Sequence, residues 1–277
     1  MTWRAVVAAL DDGDAFRSRV SVYLHPLAGR PILWHVLHAL AETKPPPSAV
    51  DVLHRTRTVM SLPDPAPVAV RPVPVAEDDT SRALRAGVTP AGVTVLVDGT
   101  APLLTPATIA RILRAADGQV AAILPASDES TSLLVAGEGP ALASADDPRN
   151  PVGAVRIAPT SAEELIRITD RHSLSDASVA FHDRLIRQHE ARGVTFILPS
   201  TTWLDADVRI GPDTVIYPGA VIEGSSEIGS ECVIGPHTRI VESQIGRGVE
   251  MKGWNYVART NIRNHAVLEP YVRRGFD

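Results

Sequence analysis

Leu204, Ile210, Ile216, Ile222, Ile228, Ile234 and Ile240 stand six residues apart without a break. Two positions before most of them comes a short side chain: Thr214, Ala220, Ser226, Cys232 and Thr238. Glycine follows Ile210, Ile228 and Ile234 directly. After Ile240 the phase slips by one residue and the series continues through Ile245, Met251 and Val257; a second slip leads to Ile262 and Leu268. This is the hexapeptide pattern of a left-handed parallel β-helix, whose coils each carry three short strands with one aliphatic side chain per strand pointing into a narrow triangular core. The short residue stacks inside near the corner, and glycine or asparagine takes the turn, where φ can be positive. Thr202 to about Val272 is expected to form roughly four such coils. A β-helix this short leaves flat faces exposed, which predicts side-by-side packing of copies into a homotrimer.

At 277 residues the chain is long enough for more than one domain. Before the repeats, apolar runs predict strands at Trp3–Leu10, Ala49–Leu53, Val68–Val70, Val93–Val97 and Gln119–Leu124. Helical spacing occupies Pro31–Ala41, Ser81–Ala86 and Pro106–Ala116, the last opened by Thr105 as N-cap and Pro106 at the first helical position. Alternating buried strands and amphipathic helices imply an α/β domain with a largely parallel sheet. The prolines of PPPS (45–48) and PDPAPVAVRPVPV (63–75) forbid long helices in the first half. Ala162–Thr169 and Ser175–Arg192 are predicted as helices, the second carrying Val179, Leu185 and Ile186 and forming an arm toward the repeats. The expected division is 1–160 for the α/β domain, 161–199 for the arm and 200–277 for the β-helix.

A formal net charge of -5 argues against nucleic acid or an anionic membrane as a partner. A single cysteine, Cys232, excludes an internal disulfide framework and a multi-cysteine metal cluster, and suits the cytoplasm. The opening MTWRAVVAALDDGD has too short an apolar run for a signal peptide, and no stretch reaches the roughly 20 apolar residues of a membrane span.

An α/β domain, a helical arm and a hexapeptide β-helix, in that order, resemble the bacterial bifunctional N-acetylglucosamine-1-phosphate uridylyltransferase/glucosamine-1-phosphate acetyltransferase family. GVTFILPSTTWLDADVRIGPDTVIYPGAVIEG (193–224) resembles the family's junction between arm and β-helix. LHPLAGRPILWHVL (24–37) resembles the end of its nucleotide loop, and VLVDGTAPLLTPATI (95–109) its metal-binding strand end. The resemblance implies a Rossmann-like nucleotidyltransferase domain and, in an active member, Mg²⁺.

Nucleotidyl transfer must neutralise growing charge on several phosphates. The family's loop reads roughly L-A-A-G-x-G-T-R-M, with a lysine shortly before LHPLAG. Laid on this chain, its first glycine becomes Asp11 and its second Gly13, while threonine becomes Asp14, arginine Ala15 and lysine Val22. Two like charges at about 4 Å cost roughly 4 kcal/mol at an effective dielectric of 20, so these acids would repel a triphosphate unless a metal intervened. The family's Gly-Asp metal pair falls on Gly99-Thr100, with Asp98 two positions early. Its G-T-x-H-A segment falls on Asp79-Thr80-Ser81-Arg82-Ala83, and its Y-G-R-I strand has no counterpart near Ser130–Val135.

Three readings follow. The first is a catalytically degenerate relative that works by binding a sugar nucleotide or a protein partner. The second is an active sugar-1-phosphate nucleotidyltransferase with a rearranged acidic Mg²⁺ site around Asp11, Asp12, Asp14 and Asp98. The third is a hexapeptide acyltransferase: VEMK (249–252) resembles the segment with the family's sugar-phosphate lysine, placing Lys252 and His265 as candidate site residues, although N-H-A-V-L-E-P-Y also reads as one more coil. Trp254, Asn255, Tyr256, Arg259, Arg263, Arg273 and Arg274 form either a coil that closes the core or a recognition surface.

Overall fold

The protein is described from a computed structural model over residues 2–11, 14–55, 70–76, 80–88, 92–123 and 132–275. Gly13, Asp12 and Asp79 lie outside these residues, as do Val68, Ala69 and Leu124 of the predicted strands. The chain divides into two compact units, Met1–Leu27 with Pro31–Ala177 and Ala28–Arg30 with Ser178–Asp277.

The first unit is built on a seven-stranded sheet: β1 (Trp3–Ala9), β2 (Val50–Arg55), β3 (Val70–Val75), β4 (Val93–Asp98), β5 (Ala121–Ile123), β6 (Leu134–Glu138) and β7 (Val155–Arg156). Their order is β3-β2-β1-β4-β6-β5-β7. The first four strands run parallel, and β6 lies antiparallel to both β4 and β5. Helices are α1 (Ile32–Glu42), α2 (Thr80–Gly87), α3 (Pro106–Ala115) and the short α4 (Gly139–Ala143). Alternate strand residues Val6, Leu53, Leu96, Ala122 and Val135 pack with Ala83 and Leu84 of α2 and Leu142 of α4. The opposite parity, including Ala5, Val7, Val95 and Val97, is equally buried. Both faces are therefore covered, as a mostly parallel sheet requires.

Three local expectations change. The strand foreseen at Val68–Val70 runs instead over Val70–Val75, through Pro72 and Pro74. It is the sheet's edge, where two prolines of the same parity turn their missing donors outward and leave Arg71, Val73 and Val75 to pair with β2. The helix foreseen at Ala162–Thr169 is a single 3-10 turn, Ala162–Leu165. Strands β6 and β7 and the short helix α4 were not foreseen, although Leu133–Ala136 is an apolar run; each is too short for a period to show. Elsewhere the boundaries shift by one to four residues, and the Thr105 hydroxyl caps α3 by accepting the Thr108 amide at 3.3 Å.

The helix α5 (Arg171–Glu190) passes from the first unit into the second, where Leu185 and Ile186 join the apolar core; Val179 is exposed. Among the described residues, fourteen two- and three-residue strands then stack in three parallel sheets of five, five and four, starting at Thr195–Phe196 and ending at Arg273–Arg274. This is a hexapeptide β-helix. Every aliphatic of the repeat from Leu204 to Leu268 is buried, and Thr214, Ala220, Ser226, Cys232 and Thr238 are fully so. Each buried isoleucine contributes about 1.5–3 kcal/mol.

The two phase slips preserve the stack because they fall at the same corner. Ile228 pairs with Ile245 and Ile245 with Ile262, so the residue lost beside Glu242 is lost again beside Arg259 one coil later. Both residues hold positive φ, 43° and 46°. The glycines after the isoleucines are needed for a different reason from the one the repeat suggests. Gly211, Gly229 and Gly235 do not have positive φ; a Cβ on any of them would lie within 2.7 Å of backbone in the next coil. Close approach between coils, not turn geometry, demands glycine there.

Candidate functional site

The sheet order reverses direction between β1 and β4, whose ends lie side by side with Ala8 opposite Asp98. In open α/β sheets the crevice beyond the strand ends at this point is where ligands bind. A cleft of about 160 Å³ occupies it here, lined among others by Asp11, Tyr23, Thr80, Asp98, Thr100, Ser132, Arg149 and Arg167. Asp11, Thr80, Asp98 and Thr100 are thus gathered as the sequence suggested.

Other expected residues do different work. Asp14, itself exposed, opens a 3-10 turn, Asp14–Phe16. Phe16 is fully buried, with its carbonyl accepting the Arg171 Nε at 3.2 Å and the same guanidinium lying over its ring. Val22 is fully buried, so the position matched to a phosphate-binding lysine packs into the core. Gly99 has no room for a side chain: a Cβ would meet the Ala8 carbonyl at 2.9 Å and the Tyr23 ring at 3.0 Å. Tyr23 closes the floor, its hydroxyl accepting the Asp11 amide at 2.8 Å. Burial, and next the Asp98 charge, push its phenol well above the usual range, so it remains a neutral donor.

Asp98 is fully engaged. Its Oδ1 accepts the Thr100 amide at 2.8 Å and the Thr100 hydroxyl at 2.6 Å, and its Oδ2 pairs with Arg167 at 2.7 Å. A dication placed on this carboxylate about 4 Å from the guanidinium would meet a repulsion of about 8 kcal/mol at an effective dielectric of 20. As paired here, Asp98 offers a divalent cation a carboxylate that a guanidinium already neutralises. Among the described residues, no group of three or more His, Cys, Asp or Glu side chains is placed to hold a metal.

The cleft's cations come from places that reading the phosphate loop could not reveal. Arg55, ending β2, stands beside the cleft rather than in its lining and reaches the Leu10 carbonyl at 3.3 Å and the Thr80 hydroxyl at 3.2 Å. Arg149 forks onto Asp147 at 3.2 and 3.0 Å. Burial alone would raise the Asp147 carboxyl, but these bonds and the Arg149 amide hold it below its ordinary value.

Arg167 is delivered by the segment around the 3-10 turn, anchored through Glu164. That fully buried carboxylate accepts the amides of Thr105, Thr160 and Ser161 and the hydroxyls of Thr105, Thr108 and Thr160. The Ile168 amide then bonds the Thr100 carbonyl at 2.8 Å, locking the segment beside the strand end.

In the second unit Lys252 and His265 are not brought together within one chain. Lys252 follows the strand Glu250–Met251 and pairs with Glu269 at 2.6 Å. His265 precedes the strand Val267–Leu268 at the opposite end of that face, exposed and at φ 57°. The aromatic and cationic tail resolves into ladders. Trp254 stacks between His237 and Tyr271, Tyr256 lies between Arg239 and Arg273, and Asn255 is buried with its Nδ2 on the Glu269 carbonyl at 2.7 Å.

Comparison with known proteins agrees with both halves. Residues 207–241 match the family described as "Bacterial transferase hexapeptide (six repeats)". The chain is 43% identical over 110 residues to the "Bifunctional protein GlmU" of Bacillus velezensis, covering 40% of this chain and 24% of that protein. It is 29% identical over 338 residues to the protein of the same name from Mycobacterium bovis, covering 98% of this chain and 68% of the relative. The first match thus spans about a quarter of the relative's length, and the second about two thirds. Among solved structures, a nucleotidyl transferase from Methanothermobacter thermautotroptrophicus superposes with a TM-score of 0.52 at 21% identity, over 68% of this chain and 99% of that one. That likeness establishes the fold of the first unit.

Proposed function

We propose that this chain, a nucleotidyltransferase-like relative of GlmU, binds a sugar nucleotide in the switch-point cleft without transferring a nucleotidyl group, acting in the cytoplasm as a homotrimer. The observation that carries the reading is the Arg167–Asp98 pair: the carboxylate nearest the expected metal position is already neutralised by a guanidinium. Transfer needs several fixed positive charges on the attacked phosphate and the leaving pyrophosphate. In this cleft Arg149 and Arg167 are each matched by a carboxylate, and Val22 supplies no charge. What remains suits recognition: hydroxyls, amides and paired arginines around a crevice of the right topology.

The test is a screen for pyrophosphate release with Mg²⁺, the common nucleoside triphosphates and several sugar-1-phosphates. No release above the protein-free blank is expected, while sugar nucleotides raise the melting temperature. Robust turnover that disappears in Asp11→Ala would establish instead the acidic-metal transferase.

Trimerisation rests on the β-helix. Val233 and Val267 stand exposed on one face in line with Val215, with Glu250 between them, and Trp203 stands exposed on another, apolar surface that packing of copies would cover. Sedimentation is expected to give about three times the chain mass of 29.6 kDa. A mass of one chain at every concentration would refute the assembly.

A further inference from the structure

We infer that the switch-point cleft takes the phosphoryl groups of a nucleoside diphosphate without a divalent cation, Arg167, held on Asp98, supplying the fixed positive charge. The inference rests on the reading of this cleft as a nucleotide site and says how that site handles charge.

Three donors in the cleft have a hydrogen with no acceptor among the described residues. Ser132, only 4% exposed, has no partner for its Oγ among the described residues. Arg167 spends an Nη2 on Asp98, while its buried Nε has no partner among the described residues. The Tyr23 hydroxyl accepts the Asp11 amide, which leaves its own hydrogen available. All three residues line the same crevice.

Buried donors without acceptors are unfavourable unless a ligand supplies the missing acceptor. Asp98 already accepts three bonds, from the Thr100 amide and hydroxyl and from Arg167, and neither the Ser132 Oγ nor the Arg167 Nε reaches a carboxylate among the described residues. These donors therefore call for an acceptor that the described residues do not give them. Phosphoryl oxygens are strong acceptors that carry no proton of their own, and guanidinium N–H groups bind them with charge assistance. A volume of about 160 Å³ encloses a phosphoryl portion and leaves the rest of a nucleotide outside.

Isothermal titration of the full chain with UDP-N-acetylglucosamine, UDP and inorganic pyrophosphate, each in excess Mg²⁺ and in EDTA, tests this. At least UDP and pyrophosphate are expected to bind in EDTA within about threefold of their affinity in Mg²⁺. In EDTA, Arg167→Gln weakens binding about tenfold, one charge-assisted bond's worth, and Ser132→Ala, a change small enough to leave the fold intact, weakens it about threefold. Asp98→Asn frees the guanidinium and tightens binding. Binding that appears only with Mg²⁺ and vanishes in Asp98→Asn would overturn the inference while leaving the cleft a nucleotide site. No binding of any of the three probes under either condition would overturn both.

Discussion

Gly235→Ala unfolds the β-helix at a temperature roughly 10–20 °C lower than the parent, a cost of about 3 kcal/mol. The reason lies in the spacing between coils. A methyl on Gly235 would lie 2.3 Å from the Met251 carbonyl oxygen, 2.6 Å from the Gly253 nitrogen and 2.7 Å from the Lys252 carbonyl carbon. All three are backbone atoms of the following coil, and none can retreat alone. Gly235 itself donates to Met251 at 2.8 Å, and Val233 donates to Val249 at 2.9 Å, so moving that coil stretches the ladder. Gly87→Ala is the contrast, because there the new methyl meets the end of the Leu53 side chain at 3.2 Å, which can shift. Thermal unfolding followed by circular dichroism separates the two. A loss of only a few degrees in Gly235→Ala would mean that the coils have slack.

Glu164→Ala costs the α/β unit about 3–5 kcal/mol, since a buried donor left without its acceptor costs roughly 1–3 kcal/mol and several are left at once. The amides of Thr105 and Ser161 lose their carboxylate acceptor, while that of Thr160 keeps the Thr108 hydroxyl at 3.0 Å. The hydroxyls of Thr105, Thr108 and Thr160 recover part of the loss by bonding one another, as two such contacts at 3.2 and 3.0 Å already allow. Glu164→Gln keeps one oxygen and loses less, about 1–2 kcal/mol. Urea unfolding reports both through Trp3, which is buried at the start of β1. A cost below about 1 kcal/mol for the alanine variant would show that the threonines satisfy themselves. The same substitution releases the segment that carries Arg167, so ligand affinity is expected to fall with stability.

Legibility in the sequence followed the range of the interactions. Thr105 and Pro106 announced α3 because capping is settled within one turn. Pro72 and Pro74 misplaced a strand because proline propensity does not say whether a strand lies at an edge; that depends on β2 covering one side only. Leu133–Ala136 gave too short a run to distinguish a strand from a loop. In the loop, Asp11 and Val22 could be read as unlike a phosphate cradle, but the arginines near the cleft were invisible.

What the sequence determined by itself is the repeat. Each coil binds its neighbour at a nearly constant separation, so Ile222, Ile240 and Val257 align through interactions that a period can express. Even the two slips are readable there, since both shorten the same corner. The cleft was decided by the tertiary structure alone. Arg55 and Arg167 come from unrelated segments and meet Leu10, Thr80 and Asp98 only because β1, β2 and β4 end at one edge of the sheet. Burial then sets their partners and leaves Ser132 and the Arg167 Nε unpaired among the described residues, a balance of donors and acceptors that no linear pattern encodes.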